Sequence, residues 1–590
     1  MSQPLLFPCP REFRWTGSGG AVFDAAPRIS VEASLPAQGF AICASADGVE
    51  ISHADAPGLR YALAVLEQLR AHNGDLDAFE LRDWPDFPVR GYMLDISRDR
   101  VPTRETLERT VELLELFRIN HFELYTEHTY AFRDHEEVWR DASPMTPEDL
   151  RWLDDLCADR DIELVANQNT FGHMARWLKH ETYVGRAETP DGWHTSAGAF
   201  LKPAVLAPTE DNAKFAIELA REVMENFRSR TLNIGCDETF ELGKGRSREE
   251  VESRGAGVVY LEHLKRLIEG AQAEGFDVLF WGDILRQHPE LVEELPKQGA
   301  TALAWWYEAP VDSPYIPEEV REIASEFGFS ENAQRGFAGH VPGFVAAGFP
   351  FWVCPGTSTW NTFIGRWSNA RANLLDAAEV GAEQGACGYL ITDWGDNGHM
   401  QPPSVSWLPL AYGAAVSWCR EANREVDLAA VLDAFVFQDA AGNTGALLIE
   451  IGDAYLGTGM SAFNGSSLFT SIVGDGLLGS IGEPDVESLR ATIGSLEAAE
   501  EVLGRSRLAC GDGPVVQREL AQAIRLARHG AYRLLRAAGE DRPTDAELRL
   551  DLSDAITEQA ACWRARSREG GLVESLARLE DALEKYEPGA

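Results

Sequence analysis

The chain has 590 residues, 45% hydrophobic and 25% charged, with 53 Lys and Arg against 94 Asp and Glu and a formal net charge of −41. That is the balance of a folded, soluble protein with ample core material, too long for one ordinary domain. So acidic a chain lacks the positive field that nucleic acid or an anionic membrane demands, which excludes both as partners.

The first ten residues have no basic opening followed by an apolar run, so no signal peptide is expected, and no apolar stretch is long enough to span a bilayer. Nine cysteines without C-x-x-C spacing read as reduced thiols of a cytoplasmic protein, with no disulfide frame and no zinc site.

Residues 1–85 alternate short β-like runs (39–45 and 48–52) with one helical stretch (58–71), which predicts a small α/β domain. The segment Asp83-Trp84-Pro85-Asp86-Phe87-Pro88 reads as the linker out of it. A strand–helix rhythm then runs from Val89 to about residue 419. Its strands are predicted at 89–96, 121–127, 162–167, 231–235, 278–281, 301–306, 351–354 and 388–392. The helix at 103–117 shows the pattern best: Leu107, Val111, Leu114 and Phe117 recur at helical spacing behind a Thr103 cap. Eight such units argue for an α/β fold built on a (β/α)8 barrel over residues 86–425, with a doubly wound open sheet as the competing topology. Beyond 425 the β signal fades and helical spacing dominates at 428–438, 486–504, 515–538, 544–566 and 572–586, predicting a C-terminal helical domain over 426–590. Residues 455–482, rich in Gly and Ser, read as a long loop that caps the barrel, joins subunits or forms a mobile insert.

In a barrel of this kind the active site sits at the C-terminal strand ends. Those ends carry Asp95 and Arg98, Glu127 and His128, Asn167, Asn169 and His173, Asp237 and Glu238, Trp281 and Asp283, Trp306, Tyr307 and Glu308, Trp360 and Asn361, and Asp393, Trp394, Asp396 and His399. The adjacent carboxylates Asp237 and Glu238 are the minimum equipment for acid-catalysed glycoside chemistry. Neighbours in a strand point to opposite faces, so both serve one site only if the strand ends or twists at the pair.

The run Asn233-Ile-Gly-Cys-Asp237-Glu238 resembles the His-x-Gly-Gly-Asp-Glu signature of glycoside hydrolase family 20, the β-N-acetylhexosaminidases. Arg90-Gly-Tyr-Met-Leu-Asp95-Ile-Ser-Arg98 is similar to that family's first barrel strand, and Asn120 stands where a family Asn precedes the second. Asn169-Thr-Phe-Gly-His173 resembles its third-strand Asp-Thr-Pro-Gly-His, and Phe280-Trp281-Gly-Asp283 its fifth-strand Trp motif. The resemblance implies an exo-acting retaining hydrolase of terminal β-linked GlcNAc or GalNAc, with no cofactor and no metal. The substrate's acetamido oxygen is then the nucleophile and an oxazolinium the intermediate. Under it, Asp237 orients the acetamide nitrogen and Glu238 is the acid–base. Arg90 grips the sugar hydroxyls and His173 joins a buried polar network. Trp281, Trp306 and Trp394 wall the pocket, although Trp305 competes with its neighbour for the inward position. Asp396 binds distal hydroxyls. Asn169 and, by its strand-end position rather than by any obvious family counterpart, Glu127 complete the expected set of substrate contacts.

Several positions depart from the family pattern. The seventh-strand Tyr that donates to the acetamide oxygen is replaced in Thr359-Trp360-Asn361, so Trp360 or Tyr307 is expected to donate instead. Asn233 replaces the signature His and Asn169 an Asp, which marks a divergent branch. The expected partner is a small glycan or glycoside, with a homodimer as a possible assembly. Two other readings compete: an inactive sugar-binding barrel, and a metal-dependent hydrolase using His128, His173 and Asp237.

Overall fold

Short apolar strands and one amphipathic helix make the N-terminal unit. In a computed structural model, which describes residues 3–23, 26–71, 76–316, 318, 321–474 and 480–586, β1 (Glu12–Gly20), β2 (Arg28–Val31), β3 (Phe40–Ser45), β4 (Gly48–His53) and β5 (Asp77–Asp83) form one sheet in the order β1-β5-β3-β4-β2. The helix Ala56–Ala71 covers it through Ala62, Val65, Leu66 and Leu69, which pack on Phe40, Ile42, Ile51 and Phe79. Three of these strands, β1, β2 and β5, were not expected. Each alternates apolar and polar residues over only four or five positions (Phe13 and Trp15, Ile29 and Val31, Phe79 and Leu81), and β2 is exposed along its whole length, so the signal in each is short.

The following rhythm closes into a ring. β6 (Val89–Asp95), β7 (His121–Thr126), β8 (Glu163–Gln168), β11 (Thr231–Asn233), β12 (Asp277–Trp281), β13 (Ala300–Trp305), β14 (Phe351–Cys354) and β15 (Gly388–Asp393) make a closed barrel, with β15 paired to β6. All eight pairings are parallel, as strands joined by helical crossovers require. A two-stranded hairpin, β9 (Trp193–His194) with β10 (Phe200–Leu201), stands in the loop after β8. The helix Arg104–Leu116 buries Leu107, Val111 and Leu114 against the strands, and Thr103 caps it by accepting from the Thr106 amide.

The helix Pro403–Trp418 is longer than expected. Pro403 and Pro409 read as breakers in the sequence, yet Pro403 occupies the helix's first turn, where no backbone donor is missed. Every residue from Ser404 to Trp418 is buried, as a helix apolar all round must be. It lies between the barrel and a helical region containing Val486–Leu503, Gly513–Ala537, Asp545–Arg566 and Leu572–Glu584. The Gly/Ser-rich stretch contains two short helical segments, Ala454–Thr458 and Ser467–Val473, while residues 475–479 of it lie outside those described.

Arg90 is not at the mouth. It lies at the start of β6, about 16 Å along the strand from Asp95 at roughly 3.3 Å per residue. Its guanidinium donates to the carbonyls of Phe87 (2.8 Å) and Arg118 (2.9 Å) and to the Tyr61 hydroxyl (3.0 Å). It stacks on Trp418 from 4.9 Å, and Arg118 stacks on the same ring from 4.4 Å. Arg90 therefore plugs the floor of the barrel against the N-terminal helix, and the expectation that it grips sugar is corrected. Asp83, at the end of β5, completes this layer with a buried ion pair to Arg118 at 2.8 Å.

Asp83→Asn leaves the Arg118 cation buried without its anion. It is expected to lower unfolding stability by roughly 3–5 kcal/mol, read from urea unfolding.

Candidate active site

β11 stops at Asn233, so Asp237 and Glu238 lie beyond the strand and escape its alternation. The turn carrying them is left-handed at Gly235 (φ 71°), Cys236 (φ 75°) and Glu238 (φ 50°). Four bonds hold it. The Gly235 amide donates to Asn233 Oδ1 (3.0 Å), and Thr170 Oγ1 donates to the Ile234 carbonyl (2.7 Å). Tyr260 donates to the Cys236 carbonyl (2.9 Å), and the Glu238 amide donates to Asp283 Oδ2 (3.2 Å). Gly172 is required beneath it, because a Cβ there would meet the Asp237 carbonyl at 2.2 Å.

The turn brings both acids to one histidine. His173 Nε2 lies 3.2 Å from Asp237 Oδ2 and 3.5 Å from Glu238 Oε2. Burial opposes the imidazolium, but the charge and hydrogen bond of Asp237 outweigh it and the His173 pKa is raised to about 9. Glu238 keeps 40% of its side chain exposed. Loss of water beside the surrounding groups raises its carboxyl first, and the charges of Asp237 and Asp396 add to this, against the lowering pull of His173 and Arg98. Asp283, buried beside Asp237, is raised to about 7 by burial first and then by the charge of Asp237.

Arg98, one turn past β6, is the cation of the mouth. It pairs with Asp95 (3.1 Å), Glu127 (3.4 Å) and Asp396 (3.9 Å), and its Nη2 lies 3.4 Å from His173 Nδ1. Its guanidinium is stacked between Tyr125 (4.6 Å) and Trp394 (4.9 Å). Asp95 accepts from the Ser97 and Arg98 amides and from Gly395, fastening the first strand-end loop to the last. Glu127 also accepts from the Tyr125 hydroxyl at 3.1 Å, and burial raises its carboxyl against the pull of Arg98.

One aromatic cluster walls the mouth: Tyr125, Trp281, Tyr307, Trp360 and Trp394, with Trp305 packed against it. Trp305 stacks on Tyr307 at 5.2 Å, whereas Trp306 turns outward onto His340 and Phe329. The expectation of Trp306 is thus corrected to Trp305. The parity is legible afterwards: Leu303 and Tyr307 pack on the inner cluster, while Ala302, Ala304 and Trp306 pack on the outer core. The indole N–H groups of Trp281, Trp305 and Trp394 are buried without an acceptor, donors that a polar ligand would satisfy. Asn169 lies buried under the turn with both side-chain polar atoms unpartnered. Trp360 spends its N–H on Asn464 Oδ1 (2.9 Å), which removes it as a donor to substrate.

Tyr125 and Asn464 join the site beyond the residues singled out in advance. Arg98 and Asp283 sit just past strand ends, expected there without a role, and Trp305 is the alternative to Trp306. Asn464 comes from the helical region and left no signal.

Among the described residues, no group of three His, Cys, Asp or Glu side chains is arranged to hold a metal ion. His128 faces the cations Arg176, Lys179 and His180, and with burial they hold its imidazole well below the usual range. A set of His128, His173 and Asp237 is therefore not assembled. The helices described include none long and apolar enough to cross a membrane.

The sequence model described as the glycosyl hydrolase family 20 catalytic domain matches residues 87–319, which hold the first six barrel strands. Hexosaminidase D of Homo sapiens is 28% identical over 28% of this chain and 34% of its own length. Hexosaminidase D of Bos taurus is 24% identical over 39% of this chain and 67% of its own. The chain thus spans about a third of the human relative. A solved chitobiase of Flavobacterium johnsoniae shares the fold across 97% of this chain and 98% of its own, with TM-score 0.54 and 14% identity. A solved β-N-acetylhexosaminidase of Bacteroides fragilis does so across 70% and 90%, with TM-score 0.51 and 16% identity. The family match runs through the Asp237–Glu238 turn of the closed eight-stranded barrel, so residues 87–319 are similar to the glycoside hydrolase family 20 catalytic domain.

Proposed function

We propose that the chain is an exo-acting, retaining β-N-acetylhexosaminidase that releases terminal β-linked GlcNAc or GalNAc by substrate-assisted catalysis. The observation that carries this reading is the convergence of two sequence-adjacent carboxylates on one site, with His173 3.2 Å from Asp237 and 3.5 Å from Glu238. The hexosaminidase names borne by the curated relatives support it.

Asp237 accepts from the acetamide N–H and offsets the positive charge that develops as the acetamido oxygen closes on the anomeric carbon. Glu238, its carboxyl raised by burial, is proton donor to the leaving oxygen and then base toward the incoming water. His173, protonated at neutral pH, keeps the two anions from repelling one another. Arg98 takes the hydroxyl-binding role first given to Arg90, with Asp396 and Glu127 beside it. Trp281, Trp305 and Trp394 enclose the acetamide methyl and the apolar face of the sugar. Nine free cysteines fit a cytoplasmic setting. A panel of nitrophenyl β-GlcNAc and β-GalNAc glycosides tests the reading. Turnover insensitive to EDTA is expected, whereas binding without turnover, or activity lost to EDTA, overturns it.

Three further outcomes are expected. Glu238→Gln loses far more activity on glycosides with poor leaving groups than on activated aryl glycosides, since only the former need the proton; equal loss on both removes its acid role. Asp237→Asn lowers kcat on the order of 10²–10⁴-fold, and a near-wild-type rate rejects assistance by the acetamide.

The third outcome concerns stability. The folded pKa of His173, about 9, lies above its ordinary 6.5, so the pairing with Asp237 stabilises fully below that ordinary value and fades as pH rises through about 9. His173→Gln should flatten the decline in stability across that window, on the order of 2 kcal/mol, measured by urea unfolding at stepped pH.

A further inference from the structure

Residues 459–466 leave the helical region and enter the rim of the barrel between three strand-end loops. Phe463 packs on Trp306 and Phe329, and the chain turns at Asn464, whose φ is 51°. Asn464 is tied on every backbone side. Its amide donates to Glu308 Oε1 (2.8 Å), past the end of β13, and Glu308 is itself held bidentate by Arg366 at 2.9 Å. Its carbonyl accepts from Asn361 Nδ2 (3.0 Å), past the end of β14. Asn361 in turn accepts from Asn397 Nδ2 (2.8 Å), past the end of β15.

The side chain is oriented as firmly. Trp360 Nε1 lies 2.9 Å from the amide oxygen of Asn464. An indole N–H can only donate, so the atom it meets must be the oxygen, and the NH2 must point the other way. That NH2 meets no acceptor among the described residues, and Asn464 is only half-buried. The result is a preorganised, unspent donor beside Trp360, itself part of the aromatic wall with Tyr307 and Trp394.

We propose that Asn464 is a substrate-binding residue whose NH2 donates to the carbonyl oxygen of the substrate's acetamido group, so that the helical region completes the sugar site. The inference rests on the reading of the site as a hexosaminidase. An acetamide turned with its N–H toward Asp237 presents its oxygen on the opposite side, where a donor is needed. Trp360 cannot supply it, because its N–H is taken. A neutral donor at this oxygen orients the acetamide for attack without withdrawing the nucleophile's charge as a cation would.

The test compares two inhibitors on the full chain: a GlcNAc-derived thiazoline, which carries the cyclised acetamide, and a gluco-configured iminosugar lacking it. Asn464→Asp keeps the acceptor for Trp360 and both backbone bonds but cannot donate. It is expected to weaken thiazoline binding by about 10–100-fold and to change iminosugar binding by less than about 3-fold. Asn464→Ala should match it for the thiazoline. If Asn464→Asp behaves as wild type, or both inhibitors weaken equally, Asn464 is a wall and not a donor. If Trp305→Phe, which removes the indole N–H while keeping an aromatic ring, gives the selective loss instead, the donor is Trp305 and the proposal fails. A wild-type chain that hydrolyses the glycosides but ignores the thiazoline overturns both this inference and the substrate-assisted reading; a thiazoline-sensitive wild type with an unaffected Asn464→Asp overturns this inference alone.

Discussion

The guanidinium of Arg98 is the interaction on which the mouth of the barrel depends. Asp95, Glu127 and Asp396 arrive from three strand-end loops, each partly or wholly out of water, and they would repel one another without a shared cation. Arginine suits this place because its planar fork serves several acceptors while its faces stack on Tyr125 and Trp394. Lysine would offer a point charge and no stacking face. Because the same group also lies 3.4 Å from His173, the first, second, third and eighth loops are held in one electrostatic unit around Glu238.

Beneath the mouth a neutralising network runs through the barrel interior. Glu123 lies 2.7 Å from His121 Nε2 and accepts from Asn167 (2.8 Å) and Asn233 (3.0 Å). Asn233, which stands where the family signature has His, uses its other amide atom to accept from the Gly235 amide at the start of the acid-bearing turn. The substitution therefore keeps a polar link between the barrel interior and the turn: one side chain both satisfies a buried carboxylate and fixes the backbone above it.

What the sequence made legible follows from period and position. Parallel strands buried on both faces appear as short apolar runs, so all eight barrel strands were found, and their ends pointed to the mouth. Arg90 and Arg98 belong to one motif, and motif alone does not say which end of a strand faces the site. The strand's length does, since Arg90 lies at its start. Trp305 and Trp306 differ only in parity, which becomes readable once Leu303 is known to face inward. Asn464 was beyond reach, because its place depends on the docking of a Gly/Ser-rich segment more than a hundred residues from Trp360, a contact with no periodic trace.

The turn at Asp237 and Glu238 shows why those acids can share a site at all. Regular strand geometry would send them to opposite faces. The chain leaves the strand at Asn233 and takes left-handed conformations at Gly235, Cys236 and Glu238, of which the two non-glycine residues cost on the order of 1–3 kcal/mol each. Such conformations persist only where surroundings over-determine them. Here Thr170, Tyr260, Asn233 and Asp283 each hold one backbone group of the turn, and each comes from a different element of the barrel. The strain is thus held by the whole barrel, and the direction of one carboxyl is what it fixes.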